Sequence, residues 1–143
     1  MNPTTQQERR QLEQLDAEAL ANHQRLRLNQ LLDTILPSNR FYADKLRDVS
    51  RPLASLDAIR TLPFTTKDEH QTECDHAANL TFPLERYVRF HRTSGTRGRP
   101  LVILDTAEDW AWWIDTLQYV LDAAEQGPED RVLLAFSVGP CIG

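Results

Sequence analysis

Apolar residues recur along this chain with two different periods, and the change from one to the other divides it. From about Thr5 to Leu36 the spacing is helical, and Leu28, Leu31, Leu32 and Ile35 repeat at i, i+3, i+4 and i+7 as one stripe. Thr5 and Glu8 have the spacing of a capping box at the start of this segment, and Pro37 and Ser38 stop it. The charged first half, with Glu8, Arg9, Arg10, Glu13, Asp16 and Glu18, reads as a solvated face. A coiled-coil partner is the weaker reading, because the heptads are not sustained. Shorter helices are expected over 38–48, carrying Phe41, Tyr42 and Leu46, and over 53–62, closed by Pro63. Thr66 and Glu69 repeat the capping-box spacing and open a polar helix through about His76.

Near Tyr87 the period shortens to two. Tyr87, Arg89 and His91 alternate with Val88, Phe90 and Arg92, which predicts a strand, and Leu101-Val102-Ile103-Leu104 predicts another. Thr106, with Asp109 at the box position, caps a long amphipathic helix. Its stripe is Trp110, Trp113, Ile114, Leu117, Val120, Leu121 and Ala124, with Asp115, Gln118, Asp122 and Glu125 mostly off it. Gly127-Pro128 ends the helix, and Val132-Leu133-Leu134-Ala135-Phe136 reads as a strand buried on both faces. Strand, helix and strand from Leu101 to Phe136 have the length of a βαβ crossover, so a parallel pair is expected. The fold class is therefore α/β. Residues 1–37 form a helical front, 38–86 a region of short helices, and 87–143 two strands around a loop followed by the βαβ unit.

Composition narrows the function classes. The chain has 143 residues, 41% of them hydrophobic, and a net charge of -5. That size suits one domain, and the charge argues against a general nucleic-acid surface. Cys74 and Cys141 form neither a disulfide framework nor a CxxC motif. The polar N-terminus lacks the apolar core of a signal peptide, and no apolar run approaches the ~20 residues that span a membrane. A reducing, cytoplasmic location is the expectation.

The densest chemistry lies between the two strands, from Arg92 to Pro100. Gly95 and Gly98 let backbone N–H groups approach an anion, while Thr93, Ser94 and Thr96 add hydroxyl donors. Arg97 and Arg99 add guanidinium forks that match phosphate oxygens. The same residues also suit a plain hairpin turn. The loop is not a Walker A motif, because no Lys-Ser or Lys-Thr follows the second glycine.

Thr93-Ser94-Gly95-Thr96-Arg97-Gly98-Arg99-Pro100 resembles the phosphate-binding signature of adenylate-forming enzymes, written Ser/Thr-Ser-Gly-Ser/Thr-Thr-Gly-x-Pro. Its surroundings resemble the phenylacetate–CoA ligase-like branch of that family. Leu62-Pro63-Phe64-Thr65-Thr66-Lys67-Asp68 is similar to the branch's LPFTTK-D segment, and Phe41-Tyr42-Ala43-Asp44-Lys45-Leu46 to its FY-x-x-K-L segment. Gly127-Pro128-Glu129-Asp130-Arg131-Val132 resembles the G-D-R-V turn, and Phe136-Ser137-Val138-Gly139 the following -YG- stretch. These markers stand in family order from about Phe41 to Gly143.

The resemblance implies the start of an adenylate-forming N-terminal domain and an acid–thiol ligase reaction. A carboxylate attacks the α-phosphate of ATP, pyrophosphate leaves, and coenzyme A takes the acyl group. Mg²⁺ is implied as the counter-ion. Thr93, Ser94, Gly95, Thr96, Arg97, Gly98 and Arg99 inherit the nucleotide-binding role by position, and no catalytic or metal-ligating residue is assigned. Two departures stand out: Arg97 replaces a hydroxyl residue, and Val138 stands where an aromatic residue is common. Family members are several times longer, and their adenine-binding strands, acidic metal ligand and C-terminal domain have no counterpart here. The chain alone is expected not to complete the adenylation, whether it is a gene fragment, a truncated reading frame or a degraded paralogue. An incomplete sheet leaves an open edge, so self-association as a homo-oligomer is a further expectation.

Other candidates carry less. His70 and Cys74 lie four apart, a spacing that suits two metal ligands, with His76 close by. A second ligand pair is absent, so a polar helix is the reading taken. His91 flanks the loop and either faces a ligand or is a structural strand residue, and His23 reads as a surface helix residue. Trp110 and Trp113 fit the core stripe, whereas Trp112 falls off it and suits a neighbouring element or a partner surface. Two function classes remain. One is the N-terminal fragment of an ATP-dependent carboxylic acid–CoA ligase. The other is a non-catalytic α/β interaction module derived from that fold.

Overall fold

A computed structural model describes residues 4–70, 79–93, 100–127, 129–133 and 135. Helices dominate the first half, and one antiparallel hairpin and a long helix make up most of the second. Among the described residues no helix is long and apolar enough to cross a membrane.

The front is two helices, not the single one expected: α1 spans Gln6–Glu13 and α2 spans Ala17–Ile35. The break has a local cause. Asp16 takes extended backbone angles and its carboxylate accepts the Ala19 N–H at 2.8 Å, so it starts a new helix instead of continuing the old one. The expected capping box at Thr5 and Glu8 forms, with the Glu8 N–H on the Thr5 hydroxyl and the Thr5 N–H on the Glu8 carboxylate. The solvated reading of Arg9 is overturned. Its residue is only 6% exposed, and Nε lies 2.7 Å from Asp122 Oδ2. The partner is 113 positions away, so local charge pattern gave no sign of it.

The stripe on α2 makes the core. Leu32 and Leu36 are buried with Leu46 and Leu53, and Leu28, Ile35, Tyr42, Val49, Ala58 and Leu62 pack around them. The helix expected over 38–48 is shorter, α3 at Arg40–Lys45, and the one over 53–62 is a 3₁₀ helix at Leu56–Thr61. Asn29 fastens the chain between them to α2: its amide accepts from Leu53 N–H at 2.8 Å and donates to Leu53 C=O at 3.1 Å. Lys67–His70 forms α4, and the rest of the helix expected through about His76 falls on residues outside the described set.

Asn39 joins this helical half to the hairpin. It is 3% exposed. Its Oδ1 accepts the Tyr42 N–H at 3.0 Å and so caps α3. Its Nδ2 donates to Asn79 Oδ1 at 2.9 Å and Thr81 Oγ1 at 3.1 Å. Ser38 Oγ donates to Thr81 C=O at 2.6 Å, and the Tyr87 hydroxyl accepts from the N–H groups of Thr81 and Phe82.

Strands β1 (Tyr87–Arg92) and β2 (Val102–Thr106) pair antiparallel, with Arg92 opposite Val102, His91 opposite Ile103 and Arg89 opposite Asp105. The register shifts between Tyr87 and Arg89. Thr106 is 1% exposed and opens α5 (Ala107–Ala123) through the expected capping box with Asp109. The apolar stripe of α5 was expected to be core. Instead its residues from Trp113 onward run from 36% exposed at Leu121 to 63% at Val120. The opposite, polar side makes the contact: the Thr4 N–H and hydroxyl both donate to Asp115 Oδ1, and Arg9 pairs with Asp122. Polar groups with fixed geometry thus set which way the helix faces.

The expected parallel strand is also absent from the described residues. Val132 is 63% exposed and Leu133 88%, and neither belongs to a strand. Residues 134 and 136–143, on which the rest of that reading falls, lie outside the described set. Among the described residues the sheet is the two-stranded antiparallel hairpin. A short apolar run does not specify which edge takes up its N–H and C=O groups.

Asn39 yields a stability prediction. Asn39→Ala removes a helix cap and strips partners from buried polar atoms, so it should cost about 2–4 kcal/mol in urea unfolding. Asn39→Ser, which restores a cap acceptor only, should recover about 1 kcal/mol. An alanine variant as stable as the parent would show that the joint contributes nothing.

Candidate functional site

The hairpin presents its loop from a closed base. The Thr93 N–H donates to Leu101 C=O at 3.0 Å, and the Leu101 N–H donates to Thr93 Oγ1 at 2.9 Å. Thr93 therefore has a structural duty that its sequence pattern did not reveal. One lone pair of its hydroxyl takes the Leu101 N–H, and its O–H remains able to donate. Ser94, Gly95, Thr96, Arg97, Gly98 and Arg99 lie outside the described residues.

Two side chains below the loop face α5. His91 Nε2 lies 2.9 Å from Asp105 Oδ2, with the two side chains 14% and 25% exposed. The approach misses hydrogen-bond direction, so Nε2 has no hydrogen-bond partner among the described residues. The ring stacks on Trp110 at 5.7 Å and 18°. Arg89 lies two residues away on the same strand face, its guanidinium 5.4 Å from the Trp110 ring centroid. These contacts give His91 a packing role against α5. Sequence reasoning missed Asp105. Counting the antiparallel register outward from the loop would have set it opposite Arg89, two pairs beyond His91 and on the same face.

The described upstream marker segments converge. Lys45, from the FY-x-x-K-L segment, forms an ion pair with Glu69, which directly follows the LPFTTK-D segment. Its ammonium also lies 5.6 Å from the Phe41 ring centroid. His70 packs on Phe41 at 4.7 Å and near Tyr42 at 6.4 Å. That gives His70 a packing role, while Cys74 and His76 lie outside the described residues. Phe64 of the same segment is 94% exposed. In the G-D-R-V turn the Gly127 N–H donates to Asp130 Oδ2 at 2.7 Å, which explains why an aspartate suits that position. A groove of about 680 Å³ lies away from the loop base, between α2, α3 and the far face of the hairpin.

Several carboxylates in these contacts are held ionised. The Lys45 ammonium, then the Thr66 N–H, lower Glu69 from 4.5 to about 2. The Arg9 guanidinium lowers Asp122, and the Thr5 backbone and hydroxyl donors lower Glu8.

Against known proteins, no family model matches the chain. The chain is similar to phenylacetate-coenzyme A ligases of two organisms. Over 90 residues the chain is 35% identical to the phenylacetate-coenzyme A ligase of Escherichia coli (strain K12), covering 62% of this chain and 20% of that protein. Over 135 residues it is 26% identical to the phenylacetate-coenzyme A ligase of Pseudomonas putida, covering 92% of this chain and 30% of that protein. The chain thus spans between a fifth and a third of the length of these relatives.

The Lys45–Glu69 pair yields a pH prediction. Glu69 is depressed in the folded state, so its contribution is complete above pH 4.5 and is lost as pH falls toward about 2. Glu69→Gln should therefore melt below the parent at pH 7, with the gap closing across that interval. A gap unchanged by pH would remove the ion pair as its cause.

Proposed function

We propose that this chain supplies the ATP-phosphate subsite of an ATP-dependent carboxylic acid–CoA ligase that works through an acyl-adenylate. The observation that carries the reading is the hairpin base. The residues that resemble the adenylate-forming signature lie in sequence between two paired strands, and Thr93 and Leu101, just beyond the strand ends, are hydrogen-bonded to each other. The similarity to phenylacetate-coenzyme A ligases of two organisms supports the same class.

In this reading Thr93, Ser94 and Thr96 offer hydroxyl donors to the β- and γ-phosphates, and Gly95 and Gly98 let backbone N–H groups approach them. Arg97 and Arg99 add positive charge where the family pattern has fewer cations. The donor set fits a polyphosphate: it contains hydroxyls, N–H groups and guanidiniums, and no carboxylate. Mg²⁺ would neutralise phosphate charge when bound, and no residue of this chain is assigned to hold it. The chain's own contribution is electrostatic placement of the leaving pyrophosphate while a small-molecule carboxylate attacks the α-phosphorus. Coenzyme A would take the acyl group at a later step.

A second reading, a non-catalytic interaction module, is favoured by the exposed apolar side of α5. ATP binding separates the two. Titration with ATP and Mg²⁺, followed by calorimetry, should show saturable binding that Gly95→Ala combined with Thr96→Ala weakens at least about ten-fold. Equal affinity in parent and variant, or no binding by the parent, would overturn the ligase reading. ATP–pyrophosphate exchange is expected to be undetectable for this chain alone.

A further inference from the structure

At the start of α5 the three tryptophans form a feature that the phosphate loop does not use. Trp110, Trp112 and Trp113 line a cleft of about 330 Å³ with Ile103, Asp105 and Asp109. That volume lies at the small end of the range for ligand sites. Trp110 and Trp113 are 5.2 Å apart between ring centroids and tilted by 57°, so their faces form an open corner. Trp112 is 52% exposed.

The charge of the lining has one sign: it carries two carboxylates and neither a lysine nor an arginine. Both carboxylates keep free capacity. Asp109 uses Oδ2 for the Thr106 cap, and Asp105 turns Oδ2 toward His91, so among the described residues Oδ1 of each has no hydrogen-bond partner. The partial positive charge of the α5 N-terminus is offset by Glu108 and Asp109 in its first turn. The nearby cations lie outside the lining: Arg86 is paired with Glu108, and Arg89 rests against the Trp110 ring. The position of Arg89 shows that this indole already attracts a cation.

We propose that this cleft binds a small organic cation of the quaternary or methylated ammonium class, held by the indole faces and by the charge of Asp105 and Asp109. Such cations lose little hydration on entry and are suited to aromatic walls, whereas a compact inorganic ion would demand oxygen ligands. The proposal does not rest on the nucleotide reading. It concerns a different group of residues and a ligand of opposite charge, so either can fail alone.

The test is tryptophan fluorescence of the full chain titrated with choline and, in parallel, with 3,3-dimethylbutan-1-ol, its uncharged isostere. Choline should give a saturable change in the millimolar range, and the alcohol should bind at least about ten-fold more weakly. Trp112→Ala, a change at a half-exposed position, should weaken choline at least about five-fold with the circular dichroism spectrum unchanged. Asp105→Asn should weaken it in the same direction. No saturable response to choline, equal affinity for the alcohol, or unaltered choline affinity in Trp112→Ala would each overturn the proposal.

Discussion

A buried amide, Asn39, ties the helical first half of this molecule to the segment that leads into the hairpin. Its oxygen ends the irregular chain after α2 by capping α3, and its nitrogen reaches across to the segment that leads into the hairpin. A charged side chain there would carry a desolvation cost, and an apolar one would leave several polar atoms without partners. An amide offers an acceptor and two donors in one plane, which is what the site requires. The placement of the segment entering β1 follows from that joint and from the Tyr87 hydroxyl beside it.

The far end of the hairpin unit is tied back by charge. Arg9 and Asp122 meet with side chains 8% and 13% exposed, and the guanidinium also lies 6.0 Å from the Tyr119 ring. A shielded pair of this kind is poor evidence for net stability, because desolvation offsets much of the attraction. It is better evidence for specificity: removing either partner would strand the other charge, so rotated arrangements of α5 against α1 are penalised. That explains how a helix can turn its carboxylates inward and leave its apolar stripe facing out.

Local signals in the sequence survived in the structure, and long-range ones did not. The boxes at Thr5 and Thr106 were legible because cap and partner are three residues apart. The hairpin was legible because period-two alternation flanked a loop of turn-forming residues. The break at Asp16 was missed because the apolar spacing that marks α2 lies well beyond it. Arg9 was misread because its carboxylate lies on another element, and the α5 stripe because periodicity reveals an apolar face without naming what covers it. Of the candidate site, the strands and the role of Thr93 at the loop base can be compared with the structure, whereas 94–99 fall outside the described residues. The family reading came from motif order, and the sequence comparisons point the same way over part of the chain.

The crossed hydrogen bonds between Thr93 and Leu101 have a consequence for how such a loop can change over generations. They fix the two chain ends between which the tip residues lie, independently of what those residues are. Once the ends are fixed, lengthening or shortening the tip alters closure entropy only slowly. Substitutions at the tip are then judged by what they bind and little by whether the domain folds. A residue such as Arg97 could enter there without any compensating change in the core, and the scaffold would tolerate it whether or not the ligand did.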